Sequence, residues 1–148
     1  MRAKEYYRYT ERVLYSYRHN VEMSGKLSGE LDMLRAKGDM SGQSYGNAGR
    51  VSGVSDPVLS YVMKAEELEH KLKRVMRRVK AVDSLREDLR LGKVITITSP
   101  RNLLRILAEH YIDGVTVSEF LRYTHWVRST FYARKHELVL IAGEYLRA

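Results

Sequence analysis

A stripe of apolar residues that steps by three and four through the middle of the chain constrains the fold most. The stripe consists of Val58, Tyr61, Ala65, Leu68, Leu72, Val75, Val79, Val82, Arg86 and Leu89. Only Arg86 departs from its apolar character. Such spacing, kept over about four heptads, is typical of a coiled-coil seam on one long helix. An apolar seam of this length needs a second helix to cover it.

The residues at both ends of this stripe are helix start and stop signals. Ser55-Asp56-Pro57 precedes it, and Gly92 follows it. Asp56 can accept hydrogen bonds from free backbone N–H groups, and a proline at the first helical position has no N–H group to satisfy. Glycine is the usual residue just past a helix end. The sequence therefore predicts a helix from Pro57 to about Leu91.

The N-terminal stretch from about Lys4 to Arg35 also has the helical period. Its apolar positions are Leu14, Tyr17, Val21, Leu31 and Leu34. Two glycines in this stretch weaken a helix, so we expect a break near Ser24–Gly29. The glycine-rich segment 38–55 follows and predicts a flexible loop. Residues 1–92 should then form an antiparallel helical hairpin, although a second copy of the chain could also cover the seam as a homo-oligomer.

The C-terminal part contains signals for three further helices after a predicted linker, or a single strand, at residues 93–98. Ser99-Pro100 starts the first helix, which should run to about Ile112. Asp113-Gly114 is a turn pair, and Thr116 with Glu119 has the spacing of a capping box that opens a short helix. A longer helix should begin near Val127. Two short helices and a longer one predict a helix-turn-helix domain at residues 99–148, within an all-α fold.

The start of the last helix carries the candidate DNA contacts. The candidate DNA-binding residues are Thr116, Arg128, Ser129, Thr130, Tyr132, Arg134 and Lys135. Arginine can bond guanine in bidentate fashion, whereas Lys135 is expected on a phosphate. Phe131 and Trp126 should anchor the helix on the core. The alternative is that the polar side chains only form the solvated face of a small helical domain.

Charge and composition favour an anionic partner and give no sign of catalysis. The chain has 148 residues, a net charge of +8 and no cysteine. We expect double-stranded DNA as the partner, a cytoplasmic location and no membrane segment. The five histidines make no His-x-x-x-His or His-Glu-x-x-His pattern, so we expect neither a metal site nor a cofactor, and no enzyme activity. The histidines are His19, His70, His110, His125 and His136.

Two further groups of residues allow a functional and a structural interpretation. Five tyrosines, Tyr6, Tyr7, Tyr9, Tyr15 and Tyr17, alternate with arginines near the N-terminus. Such residues can stack on nucleic-acid bases, but on a helix they more often form an amphipathic packing face. The basic run from Lys71 to Lys80 could touch a DNA backbone, or could be the solvated flank of the seam.

Residues 102–146 resemble region 4 of bacterial sigma factors. The resemblance rests on the Tyr111–Gly114 turn, on Thr116–Glu119 and on Val127-Arg128-Ser129-Thr130-Phe131-Tyr132. With the helical N-terminal part, the whole chain is similar to phage-encoded regulators of the RinA/ArpU type. The resemblance implies an activator of phage late genes that acts with host RNA polymerase in the bacterial cytoplasm. His125 and Val127 stand where that family usually has glycine and serine.

Two other functions fit the same predicted elements. The DNA-recognition (small) subunit of a phage packaging terminase also joins a helix-turn-helix to helical oligomerisation segments, and it would assemble into rings. A helical adaptor would bind only protein, through its seam and tyrosine face. The adaptor would show no salt-sensitive retention on DNA.

Overall fold

The computed structural model describes the backbone of residues 1–45 and 57–148 and the side chains of residues 1–38 and 59–148. The described part of the chain is all-helical and contains no strand, as predicted. Its helices are α1 (Ala3–Tyr15), α2 (Tyr17–Tyr45), α3 (Pro57–Leu91), α4 (Pro100–Arg105), a π-helical segment (Ile106–Ile112) that continues α4, α5 (Val117–Thr124) and α6 (Arg128–Arg147). The described residues form two compact units.

The first compact unit, residues 21–76, contains most of α2 and the first part of α3. Arg35 on α2 forms an ion pair with Glu69 on α3. A side chain at Gly38 would lie 3.3 Å from Cβ of Tyr61. Residue numbers rise along one helix as they fall along the other, so these two helices are antiparallel. Within residues 21–76, α2 and α3 therefore form an antiparallel pair, whereas the hairpin was predicted over residues 1–92.

The helix boundaries in the N-terminal region differ from the prediction in two places. The break occurs at Ser16 and not near Ser24–Gly29, because α2 continues through both glycines, whose α-carbons face open space. Residues Gly38–Tyr45 are helical, although the sequence predicted a loop from Gly38 onwards. The rest of that predicted loop, with Asp56 of the predicted cap, lies outside the described residues.

The C-terminal end of α3 was predicted correctly. The helix ends at Leu91, and Gly92 takes a φ of +70°. The Lys93 N–H donates to the Asp88 carbonyl at 2.9 Å, and the Gly92 N–H donates to the Leu89 carbonyl at 3.3 Å. These two bonds form a Schellman motif, which satisfies carbonyls that the helix itself cannot pair.

The second compact unit joins residues 1–20 to residues 77–148 around one apolar core. The core residues are Val13, Leu14, Ala81, Val82, Leu85, Leu89, Leu103, Ile106, Leu107, Tyr111, Ile112, Phe120, Phe131, Leu138, Val139, Ala142 and Leu146. The predicted division placed residues 1–92 apart from 99–148, but the structure groups α1 and the end of α3 with the C-terminal helices. Leu85 is buried in this core and Arg86 is exposed. The buried position of the predicted seam is therefore residue 85 and not residue 86.

The segment between α3 and α4 has an irregular backbone and is attached to α6. The Glu137 carboxylate accepts hydrogen bonds from the backbone N–H groups of Ile97 at 2.5 Å and Thr98 at 3.2 Å, and from the Thr98 hydroxyl at 2.7 Å. The β-branched residues of this segment predicted a linker or a single strand at residues 93–98. The structure has no strand in this segment. Among the described residues, none of the helices combines the length and apolar character needed to cross a membrane.

Candidate nucleic-acid interface

Helix α5 begins and ends as its sequence signals indicate. Thr116 has an extended backbone, and its hydroxyl accepts a hydrogen bond from the Glu119 N–H at 3.2 Å. This bond is one half of the predicted capping box. At the other end, His125 adopts the left-handed conformation with φ 62°, and its N–H donates to the Leu121 carbonyl at 3.1 Å. A residue other than glycine therefore makes the turn between α5 and α6.

Helix α6 begins at Arg128, directly after this turn. Val127 is its N-terminal flanking residue, and its side chain cannot cap the free N–H groups. Phe131 and Leu138 are fully buried, so the inner face of α6 was predicted correctly. The opposite face of its first two turns is open to solvent. The first two turns of α6 thus follow directly on the turn at His125, and Phe131 attaches them to the core.

Four of the predicted contact residues are exposed in the second compact unit. Arg128, Ser129 and Tyr132 lie on the first two turns of α6, and Thr116 lies at the start of α5. Tyr132 is 43% exposed, and its ring lies edge-on to Phe131. Thr130 is half-buried. Among the described residues, no carboxylate forms an ion pair with Arg128.

The structure gives Arg134 a partner within the protein. Its guanidinium group lies over the face of Trp126, 4.2 Å from the ring centroid, as a cation–π contact. Trp126 itself packs edge-to-face on Phe120 at 5.1 Å between centroids. The tryptophan was predicted to anchor the helix on the core, and this contact confirms that role. Arg134 therefore stabilises the turn from its outer side.

Lys135, which was predicted to lie on a phosphate, has a partner within the protein. Its ammonium group lies 2.7 Å from a carboxylate oxygen of Glu11 on α1, and only 17% of the lysine side chain is exposed. The Tyr111 hydroxyl donates to the same carboxylate at 2.8 Å. Burial would raise the pKa of Glu11, but the bonds from Lys135 and Tyr111 outweigh it and lower that pKa. Lys135 thus joins α6 to α1 and to the π-helical segment.

The π-helical segment provides a second polar group inside this unit. The Nδ1 atom of His110 lies 2.8 Å from the Val115 carbonyl oxygen, which can only accept, so Nδ1 carries the proton. The Tyr15 hydroxyl lies 2.9 Å from Nε2 and donates to it. Burial lowers the pKa of His110, and the nearby ammonium group of Lys135 adds to this effect. The imidazole is therefore neutral and fully paired.

Tyr6, Tyr7, Tyr9 and Tyr17 are partly buried and belong to a packing face, whereas Tyr15 is 50% exposed and bonds to His110 through its hydroxyl group. The Tyr6 hydroxyl donates to the Gly143 carbonyl on α6 at 2.6 Å, and the Tyr17 hydroxyl donates to Asp83 on α3 at 2.5 Å. Tyr7 stacks on His136 with centroids 5.2 Å apart. Of the two interpretations of these residues, the structure favours the amphipathic interface.

The sequence analysis missed Glu11 and His110, which organise the interior beneath the candidate interface. Neither belongs to a local motif, and their partners on other helices are distant in sequence. Within the described ranges, no group of three or more histidine or carboxylate side chains is placed to hold a metal ion. Comparisons with protein-family models, with curated proteins and with solved structures gave no match to this chain.

Proposed function

We propose that this protein binds double-stranded DNA through a helix-turn-helix made of α5 and α6. The observation that carries the proposal is the exposed start of α6, where Arg128, Ser129 and Tyr132 project beyond the left-handed turn at His125. In a helix-turn-helix, the second helix places its N-terminal residues against base edges in the major groove. An arginine there can bond guanine in bidentate fashion, and hydroxyl groups can reach bases or phosphates.

The excess of positive charge supports an anionic partner. The net charge of the chain is +8. Phosphate contacts supply most of the sequence-independent affinity for DNA and make binding weaken steeply with salt. Arg134 and Lys135 already have partners, so the proposed base-reading set is Arg128, Ser129 and Tyr132. Thr116 and Thr130 would contact the backbone beside it.

We further propose that the bound DNA is a control region and that the protein regulates transcription. This step rests on the resemblance of residues 102–146 to region 4 of sigma factors and of the chain to phage regulators of the RinA/ArpU type. In that role it would activate phage late genes by contacting host RNA polymerase in the bacterial cytoplasm. It would need no cofactor, and no catalytic step is proposed.

The exposed apolar side chains of the hairpin favour self-association. Leu59, Val62 and Met63 on α3 are 46% to 62% exposed. A dimer would double the number of base contacts that a single recognition helix makes. Ring assembly would instead favour the terminase small-subunit function, which shares the DNA-binding step. Light scattering on the purified protein distinguishes a monomer or dimer from a ring.

A selection from a random duplex library, followed by gel shifts on the enriched sequence, tests the proposal. The wild-type protein should prefer the enriched duplex over mixed-sequence competitor. Loss of one bidentate base contact should weaken specific binding by about 1–3 kcal/mol, so Arg128→Ala should reduce this preference by roughly 5- to 150-fold. Lys93→Ala is the matched control, because it removes one exposed charge from the segment after α3.

Two outcomes would contradict the proposal in different ways. If the wild type enriches no sequence and shows no salt-sensitive binding, the protein does not act by binding DNA, and the adaptor function gains support. If Arg128→Ala keeps the full preference, α6 does not read the bases. Lys135→Ala is unsuitable for this test, because it would leave the Glu11 carboxylate without its ion-pair partner inside the protein.

A further inference from the structure

Helix α1 lies antiparallel beside α6. The Lys135–Glu11 ion pair at 2.7 Å and the Tyr6–Gly143 hydrogen bond at 2.6 Å fix this arrangement. The C-terminal half of α1 therefore lies beside the N-terminal half of α6, which carries the proposed base-reading residues. Of the tyrosines on α1, Tyr6, Tyr7 and Tyr9 are partly buried and Tyr15 is 50% exposed.

One side of α1 carries three exposed basic residues, Lys4, Arg8 and Arg12, which we call the basic strip. Four-residue spacing places them on one face, with successive side chains about 6 Å apart along the helix axis. Tyr7 and Glu11 contact α6. Each of them lies three residues after a member of the strip, Lys4 and Arg8 respectively. The strip therefore borders the flank of α1 that touches α6.

The charge of the basic strip is not neutralised within the second compact unit. Among the described residues, no carboxylate lies within 4.0 Å of its three charged groups. Residues 1–20 contain five lysines and arginines, of which Arg18 is paired with Asp113, against Glu5 and Glu11, and Glu11 is paired with Lys135. An excess of positive charge therefore lies directly beside α6.

We propose that the basic strip binds the phosphate backbone of duplex DNA beside the groove that α6 enters. This inference rests on the proposed function and extends it to a second element. Regularly spaced cations that carry no other partner match a line of phosphates, and such contacts add affinity without reading sequence. DNA on α6 would bring one of its backbones against α1, because the two helices are in direct contact.

The test uses the full-length protein with Arg8→Ala plus Arg12→Ala and a labelled mixed-sequence duplex of roughly 30 base pairs, about three helical turns. Each lost phosphate contact lowers the slope of log affinity against log salt by about 0.9. The double variant should therefore have a slope shallower by about 1.8. Between about 50 mM and 200 mM salt, its loss of affinity should be about 12-fold smaller than that of the wild type.

Two further variants test whether the change in salt slope depends on the positive charge and on its position in α1. Arg8→Lys plus Arg12→Lys keeps both charges and should keep the wild-type slope. Lys80→Ala plus Lys93→Ala removes the same charge from α3 and the following segment, and should change the slope by less than half as much. Alanine is well tolerated at exposed helical positions, and circular dichroism checks that α1 is intact.

The outcomes for the basic strip differ from those for α6. The α1 double variant should lose affinity for enriched and mixed duplexes equally and keep the preference between them. An unchanged salt slope in this variant, while Arg128→Ala loses preference, would overturn the inference about α1 and leave the proposed function standing. An equal loss in the Lys80/Lys93 variant would also overturn it. Absence of any wild-type binding to DNA would overturn both proposals.

Discussion

Replacement of Gly143 by alanine should destabilise the protein, although this change usually stabilises a helix. Gly143 is buried within α6 and lies against Tyr6 and Thr10 of α1. A Cβ atom at this position would lie 2.9 Å from Cε1 of Tyr6 and 3.4 Å from Oγ1 of Thr10. The Tyr6 ring has little freedom to move, because its hydroxyl donates to the Gly143 carbonyl and the Arg147 guanidinium lies over its face at 4.0 Å.

Three effects set the size of the change. Alanine in place of glycine stabilises a helix interior by about 1 kcal/mol. Overpacking in a dense core costs about 1–3 kcal/mol, and displacing the Tyr6 hydroxyl loses a hydrogen bond that contributes about 1 kcal/mol. The sum predicts that the free energy of unfolding falls by about 1–3 kcal/mol. Gly25→Ala and Gly29→Ala should do the opposite, because nothing lies within 4 Å of a Cβ at either position.

Urea unfolding followed by circular dichroism measures this difference, and a double-mutant cycle isolates its cause. In a Tyr6→Ala background the close contact is gone, so Gly143→Ala should become neutral or stabilising. A Gly143→Ala variant that is as stable as the wild type would refute the packing of α1 on α6 described here. The same conclusion would follow if the substitution destabilised the protein equally with and without the Tyr6 side chain.

Two further predictions concern the turn and the buried imidazole. His125→Gly should raise the free energy of unfolding by about 1 kcal/mol, because glycine adopts a positive φ without the strain of a side chain, and a loss of stability in urea unfolding would contradict this. Burial lowers the pKa of His110 in the folded protein below its unfolded value near 6.5. The stability that the neutral imidazole provides is therefore complete above the unfolded pKa, and it is lost as the pH falls through the lower folded pKa. Thermal unfolding of His110→Gln should therefore depend less on pH just below 6.5 than that of the wild type, and parallel profiles would argue against it.

Local signals in the sequence were enough to predict most helix ends. The Schellman glycine after α3, the threonine cap of α5 and the start of α6 depend on residues within a few positions of each other. The break at Ser16 could not be predicted in this way. It arises because α1 packs on α6 and the π-helical segment, whereas Tyr17 at the start of α2 binds Asp83 on α3. Glycines on an exposed helix face do not force a break.

The candidate site was predicted only in part, for a related reason. The position of Arg128 and Ser129 follows from the turn that precedes them, which the sequence shows. The partner of Lys135 cannot be predicted from this turn, because Glu11 belongs to a helix at the other end of the chain. Likewise, the π-helical turn that buries His110 beside Tyr111 depends on packing by α1. Periodicity indicates which face of a helix is apolar, but it does not indicate which distant carboxylate forms an ion pair with that helix.

The packing of α1 changes which part of the chain should be regarded as the proposed DNA-binding unit. The predicted domain at residues 99–148 lacks the partner of Lys135, the acceptor of the Tyr111 hydroxyl proton and the donor to His110 Nε2. Two residues of α1 make these three bonds: Glu11 bonds to Lys135 and Tyr111, and Tyr15 bonds to His110. Without α1, an ammonium group and two aromatic polar groups in the interior would lose their bonds, which is costly in a desolvated site. The N-terminal end of α6, which carries the proposed base-reading residues, is therefore positioned by the first helix of the chain as much as by the turn at His125.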